Sequence, residues 1–128
     1  MLADGEAGVN ETVLMVEDEA VVRMVVADVL RDLGYRVLET PDGFAALDVV
    51  RSDERVDLLL TDMGLPGMDG RRLAEAARRL RPDLRVLFVT GEAYDAAGEG
   101  PLPPGTQVVG KPVALDVLAA KVRAMLAA

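Results

Sequence analysis

The chain has 128 residues and a mass of 13.6 kDa, room for one domain with its own core. It contains no cysteine and no histidine, which excludes disulfides, thiolate metal sites, thiol nucleophiles, imidazole bases and Ser-His-Asp triads. Its 14 basic residues stand against 22 acidic ones, a net charge of −8; this disfavours nonspecific nucleic-acid binding, suits a cytoplasmic protein, and comes with no apolar run near the roughly 20 residues of a membrane span.

Residues 1–11 are polar, lack the basic and apolar regions of a signal peptide, and read as a frayed leader before a domain over 12–128. Thr12 to Val16 is a short, continuously apolar, β-branched-rich run, as expected of a strand buried on both faces. From Ala20 to Leu33 the residues Val21, Val22, Val25, Val29 and Leu33 recur at three- and four-residue steps, which predicts a helix, and Gly34 suits its end. Tyr35 to Glu39 reads as a second strand. Pro41-Asp42-Gly43 opens a second amphipathic helix carrying Phe44, Leu47 and Val50.

Val56 to Thr61 reads as a third strand, stopped by Asp62; the Gly- and Pro-bearing stretch Met63 to Gly70 is a loop. Arg71 to Leu80 has Leu73, Ala76, Ala77 and Leu80 on one side of a helix, and Pro82 prevents its continuation. Val86 to Thr90 is a fourth strand. The stretch from Gly91 to Gly105 holds four Gly and three Pro, so at most one or two helical turns fit, around Ala93 to Ala97. Gln107 to Val109 is a fifth strand, and Leu115, Leu118, Val122, Met125 and Leu126 mark a last helix. Strand and helix thus alternate five times with the fourth helix short or irregular. Such alternation predicts an α/β fold, a parallel sheet with helices on both faces, whose ligand chemistry gathers at the carboxyl ends of the strands.

At those ends stand Glu17 and Asp18, Asp62, Thr90 and Lys111. Three carboxylates at one mouth repel one another unless a cation compensates them. Mg2+, which prefers carboxylate, carbonyl and water oxygens, is the natural one. With a Lys and a Thr hydroxyl beside it, the set fits phosphoryl chemistry in which a carboxylate is the nucleophile.

The runs Val13-Leu14-Met15-Val16-Glu17-Asp18-Glu19, Leu58-Leu59-Leu60-Thr61-Asp62-Met63 with Leu65-Pro66-Gly67-Met68-Asp69-Gly70, Val89-Thr90-Gly91 and Gly110-Lys111-Pro112 together resemble the receiver domain of two-component response regulators over about residues 11–127. The resemblance implies a flavodoxin-like (βα)5 fold with strand order 2-1-3-4-5. It implies that Asp62 accepts a phosphoryl group from a histidine kinase or phosphotransfer protein. Asp18, Asp62 and the Gly64 carbonyl would ligate Mg2+, with Glu17 acting through a bound water. Lys111 would pair with the phosphoryl oxygens, Thr90 would hydrogen-bond them, and the Lys111–Pro112 peptide would be cis. Such a chain is a signalling switch that assists only its own modification rather than a conventional enzyme, and is expected to be a monomer or weak dimer. The chain is either a stand-alone receiver, the reading that Met1 and the short leader favour, or a piece of a larger protein.

Plainer readings stand beside these. Asp18 could simply cap the first helix, Thr90 could satisfy local backbone, and Lys111 could be a solvated surface lysine. Asp69-Gly70 reads as a turn feeding the third helix. Arg71, Arg72, Arg78, Arg79 and Arg81 read as a solvated face with local ion pairs. Val108 stands where receivers often carry an aromatic ring that moves with the Thr, and the 91–106 stretch is remodelled. Output would then use another surface or that stretch itself, and a degenerate receiver serving as a constitutive docking module is the alternative. A hydrolase or a nucleotide- or flavin-binding protein is disfavoured, because Glu17-Asp18-Glu19 stands where a Gly-rich phosphate loop would follow the first strand.

Overall fold

A computed structural model of the chain describes residues 11–91 and 102–127. Its elements run β1 (Thr12–Val16), α1 (Ala20–Asp32), β2 (Arg36–Thr40), α2 (Gly43–Arg51), β3 (Leu58–Asp62), α3 (Gly70–Leu80), β4 (Arg85–Thr90), β5 (Thr106–Gly110) and α4 (Leu115–Ala127). The five strands form one sheet in the order β2-β1-β3-β4-β5, and every neighbouring pair is parallel. This is the flavodoxin-like arrangement. The order reverses between β1 and β3, so the switch-point crevice lies beyond Val16 and Asp62. The expected short or irregular helix around Ala93 to Ala97 lies outside the described residues, as do residues 1–10 of the leader.

Alternation along each buried strand splits the core into two layers. Val13, Met15, Leu58, Leu60 and Leu87 point toward Ala27 and Leu30 of α1 and Leu118 and Val122 of α4. Leu14, Val16, Leu59, Val86 and Phe88 point the other way, toward Ala46 and Val50 of α2 and Leu73 and Ala77 of α3. Each fully buried Leu or Val contributes about 1.5–3 kcal/mol of transfer free energy. No described helix is long and apolar enough to cross a membrane.

Local chemistry moves several boundaries. The Tyr35 N–H still bonds the Leu30 carbonyl of α1 at 3.3 Å, so β2 starts at Arg36 and runs on to Thr40, whose hydroxyl donates to the Met15 carbonyl at 2.9 Å. Asp57 is occupied in holding the start of β1: its N–H donates to the Thr12 carbonyl at 2.8 Å and its carboxylate accepts the Thr12 N–H at 2.7 Å. The ladder of β3 therefore begins at Leu58, and it extends through Asp62, which pairs with Val89.

Helix starts show which acidic residues are caps. Asp42 accepts the Ala45 N–H at 2.8 Å and Asp69 accepts the Arg72 N–H at 2.9 Å. Helix α1 is different: its N-cap is Glu19, which makes no side-chain cap bond. Asp18 therefore does not cap α1.

Candidate functional site

The site is built from loops that leave the carboxyl ends of β1, β3, β4 and β5. Glu17 continues β1, its N–H donating to the Thr40 carbonyl at 3.1 Å. Its buried side chain turns back so that Oε2 accepts the Glu19 N–H at 2.9 Å. Asp18 beside it is exposed. Asp62, with only 8% of its surface accessible, ends β3. Carboxylate oxygens of Glu17, Asp18 and Asp62 all lie within 4.8 Å of one another. Lys111, just past β5, donates from Nζ to Asp62 Oδ2 as a charged pair. The other Asp62 oxygen, Oδ1, accepts the Gly64 N–H at 3.0 Å.

Close backbone packing fixes Asp62. The Met63 N–H donates to the Val89 carbonyl, and the Gly70 N–H donates to the Met63 carbonyl, both at 2.9 Å. The start of α3 presses so near the end of β3 that a Cβ at Gly70 would collide with the Asp62 carbonyl. Gly70 is thus a close-approach glycine that helps shape the site, a role its Asp-Gly context did not signal.

Thr90 is buried at the end of β4, and its carbonyl accepts the Lys111 N–H at 2.7 Å. Its hydroxyl donates to the Gly91 carbonyl at 3.3 Å rather than to Asp62. The Lys111–Pro112 peptide is cis. Of the residues singled out from the sequence, Glu17, Asp18, Asp62 and Lys111 meet directly. Thr90 joins them through backbone, and Gly64 contributes its N–H to Asp62. Lys111 is no free surface lysine.

The electrostatics are those of crowded acids. Burial pushes the Glu17 carboxyl above the usual range, helped by the Asp18 side chain and the Asp62 charge and opposed by the Glu19 N–H and Lys111. The hydrogen bond to Asp62 holds the Lys111 ammonium protonated beyond its usual range, with the charges of Asp62, Glu17 and Glu19 adding and burial opposing. One ammonium among three carboxylates leaves negative charge uncompensated. Hard oxygen donors at this spacing fit a hard divalent cation.

A cavity of about 830 Å3 opens on this mouth. Glu17, Asp62 and Lys111 line its polar end, while Val21 and Val25 of α1 and Leu115 of α4 line its apolar flank. Of the basic residues on and just past α3, Arg72 and Arg79 are exposed as expected, but Arg78 and Arg81 are not part of a solvated, ion-paired face. Arg78 donates to the Leu84 carbonyl at 2.9 Å and to the Thr106 hydroxyl at 2.6 Å, and Arg81 donates to the Val50 and Ser52 carbonyls at 3.0 and 2.9 Å.

A parallel sheet in this order, with an acidic cluster and a lysine at its switch point, is the arrangement of a receiver domain. The family model of the response regulator receiver domain matches residues 13–123, and the chain belongs to that family. It is 38% identical over 120 residues to "Sensor kinase CckA" of Brucella abortus, covering 91% of this chain and 13% of that protein. It is 34% identical over 117 residues to "Response regulator receiver protein CpdR" of Brucella abortus, covering 91% of this chain and 97% of that one. Among solved structures, the receiver domain of the hybrid histidine kinase CckA superposes with a TM-score of 0.76 at 35% identity, over 90% of this chain and 98% of that one. The chain therefore spans only a small part of the sensor kinases it matches and nearly the full length of the free-standing receiver.

Proposed function

We propose that the chain is the phosphoacceptor switch of a two-component phosphorelay, with Asp62 as the acceptor. The observation that carries this reading is the cluster of Glu17, Asp18 and Asp62 oxygens within 4.8 Å of one another, with Lys111 bonded to Asp62. Asp62 attacks the phosphorus of a donor phosphohistidine. A P–O bond forms to Asp62, the donor P–N bond breaks, and the released nitrogen keeps the electron pair and takes a proton from solvent. Lys111 passes its hydrogen bond from the carboxylate to the incoming phosphoryl oxygens. The Thr90 hydroxyl exchanges the Gly91 carbonyl for a phosphoryl oxygen, drawing the end of β4 inward. Asp18, Asp62 and the Gly64 carbonyl would hold Mg2+, with Glu17 reaching it through water. When bound, Mg2+ offsets the repulsion among the carboxylates and the charge on the phosphoryl group. The chain assists only its own phosphorylation and dephosphorylation.

The donor is a histidine kinase or phosphotransfer protein, as the relatedness to kinase-borne receivers supports. It docks on the apolar flank of the mouth, where Val21, Val22 and Val25 of α1 and Leu115 of α4 are exposed large hydrophobics. The switch works in the cytoplasm.

Intact mass after incubation with acetyl phosphate tests the reading. A single phosphoryl adduct is expected that needs Mg2+ and disappears in Asp62→Asn. No adduct, together with no detectable divalent-ion binding, would replace the switch with a constitutive docking module.

A further inference from the structure

The loop between β1 and α1 carries two of the three clustered carboxylates, yet it lacks the usual anchor of a helix start. The N-cap Glu19 makes no side-chain cap bond, and the first turn of α1 holds no acidic residue. The anchor comes instead from one turn further along. Arg23 reaches back six residues, and its Nη1 donates to the Glu17 carbonyl oxygen at 2.6 Å. That oxygen belongs to the planar peptide joining Glu17 to Asp18, so its direction sets the plane from which the Asp18 side chain departs.

Arg23 is itself held. Its side chain is only 20% accessible, and its Nε lies 3.8 Å from Glu39 Oε1 on β2. Glu39 is in turn paired with Arg31 at 2.9 Å, and Arg31 donates to the Val37 carbonyl at 2.9 Å. A chain of contacts therefore runs from β2 through Glu39 and Arg23 to the Glu17–Asp18 peptide. At its other side the Glu17 N–H is held by the Thr40 carbonyl of the same strand. Neither Arg23 nor Glu39 belongs to the cluster.

We propose that Arg23 is a positioning residue for the divalent-ion site: by fixing the Glu17 carbonyl, it aims the Asp18 carboxylate at Asp62. This rests on the metal-binding reading above and extends it to a residue whose only bond to the site is to a backbone oxygen outside the carboxylate cluster. Partners of this outer kind commonly govern metal affinity by ten- to a hundredfold when lost.

The sign of the effect separates positioning from simple charge. Arg23 is a cation near the site, so by Coulomb's law alone its removal strengthens divalent-ion binding. Loss of positioning weakens it. The test is a Mn2+ titration followed by electron paramagnetic resonance, with Mg2+ as competitor, on the wild type, Arg23→Met and Arg23→Lys. Met keeps the apolar stem and the helix but has neither donor nor charge; thermal melting confirms that the variants fold. Arg23→Met is expected to bind the ion about tenfold more weakly, and Arg23→Lys, which can still donate to the carbonyl, is expected to recover most of that loss. Affinity unchanged or raised in Arg23→Met, or no recovery in Arg23→Lys, would overturn the assignment while leaving the ion site standing. A wild-type chain that binds no Mn2+ would instead overturn the metal-binding reading itself, and the assignment with it.

Discussion

The two ends of the sheet use charge in opposite ways. At the amino ends of the strands, charged side chains close the backbone. Asp57 joins β1 to the start of β3. Arg78 ties α3 to the chain entering β4 and β5. Arg81 covers the last carbonyls of α2, and Arg85 donates to the Met125 carbonyl of α4 at 2.7 Å. At the carboxyl ends, three carboxylates face one another with one lysine among them. The same fold thus has an end where charges satisfy neighbours and an end where like charges crowd together, as the proposed cation and phosphoryl site requires. Perturbed acids concentrate where a site needs them.

The sharpest test of the first end is Arg78→Ala. Its guanidinium donates to the Leu84 and Gly105 carbonyls and the Thr106 hydroxyl, and among the described residues it makes no ion pair. Burial without a carboxylate partner pulls its pKa down. Truncation leaves these acceptors without their donor, at an expected cost of about 2 kcal/mol. Denaturant unfolding reads this cost, and phosphorylation by acetyl phosphate should proceed unchanged in the folded fraction. A large loss of phosphorylation without a loss of stability would show that the two ends are not separable.

Much of this was legible in the sequence, for reasons that differ by element. Short apolar runs such as Val13 to Val16 and Leu58 to Leu60 can only be strands buried on both faces in a chain this size, and their polar ends mark the mouth of a parallel sheet. Periodicity placed α1 through α3 and the last helix. Roles that depend on a distant backbone group were not legible. That Arg78 and Arg81 turn inward follows from where the strand entries lie, which no helical periodicity encodes; on a helical wheel they are polar-face residues like Arg72. The link from Glu39 to Arg23 to Glu17 needs β2 beside α1 in space. Gly70 reads as a turn residue until Asp62 is placed against it. Asp18, an excellent cap by residue type, is relieved of that role by a helix that starts two residues later.

Glu17→Gln tests the second end. In the metal-free fold, burial and the neighbouring acids raise the Glu17 pKa, so the folded chain holds that proton more tightly than the unfolded chain does. Without metal, its contribution is present at low pH and is lost as pH rises from the ordinary glutamate range through the raised one. Gln does not ionise, so in the presence of chelator the variant should melt above the wild type at neutral pH, and the gap should close as pH falls below the glutamate range. With Mg2+ the order should reverse if Glu17 serves the ion as proposed, because the variant then loses that acid, at about tenfold in affinity. Melting curves across pH, with chelator and with Mg2+, check both signs. A gap that is independent of pH would mean that Glu17 is not held against its charge.

Val21→Ser is expected to have the smallest effect on stability and a selective effect on function. Val21 is 68% accessible and stands on the α1 flank of the mouth, so the fold has little packing to lose there, and a change within about 0.5 kcal/mol is expected. A single exposed valine needs no explanation on its own; Val21, Val22 and Val25, exposed together along α1 beside the polar site, are the docking surface proposed above. If Val21 is one of the minority of contacts that carry the binding energy, its truncation costs about 1 kcal/mol, or roughly fivefold. Acetyl phosphate is too small to use the flank, so its reaction with Asp62 should proceed at the wild-type rate, while transfer from a phosphorylated histidine-kinase domain should slow severalfold. Equal slowing with both donors would place Val21 in the shape of the mouth itself; equal rates with both would move the docking surface off α1. The split between the donors separates a residue that serves the chemistry from one that serves the encounter, and the two ends of the sheet differ in the same respect: Arg78 should matter to the fold and to neither donor, Val21 to one donor and hardly to the fold.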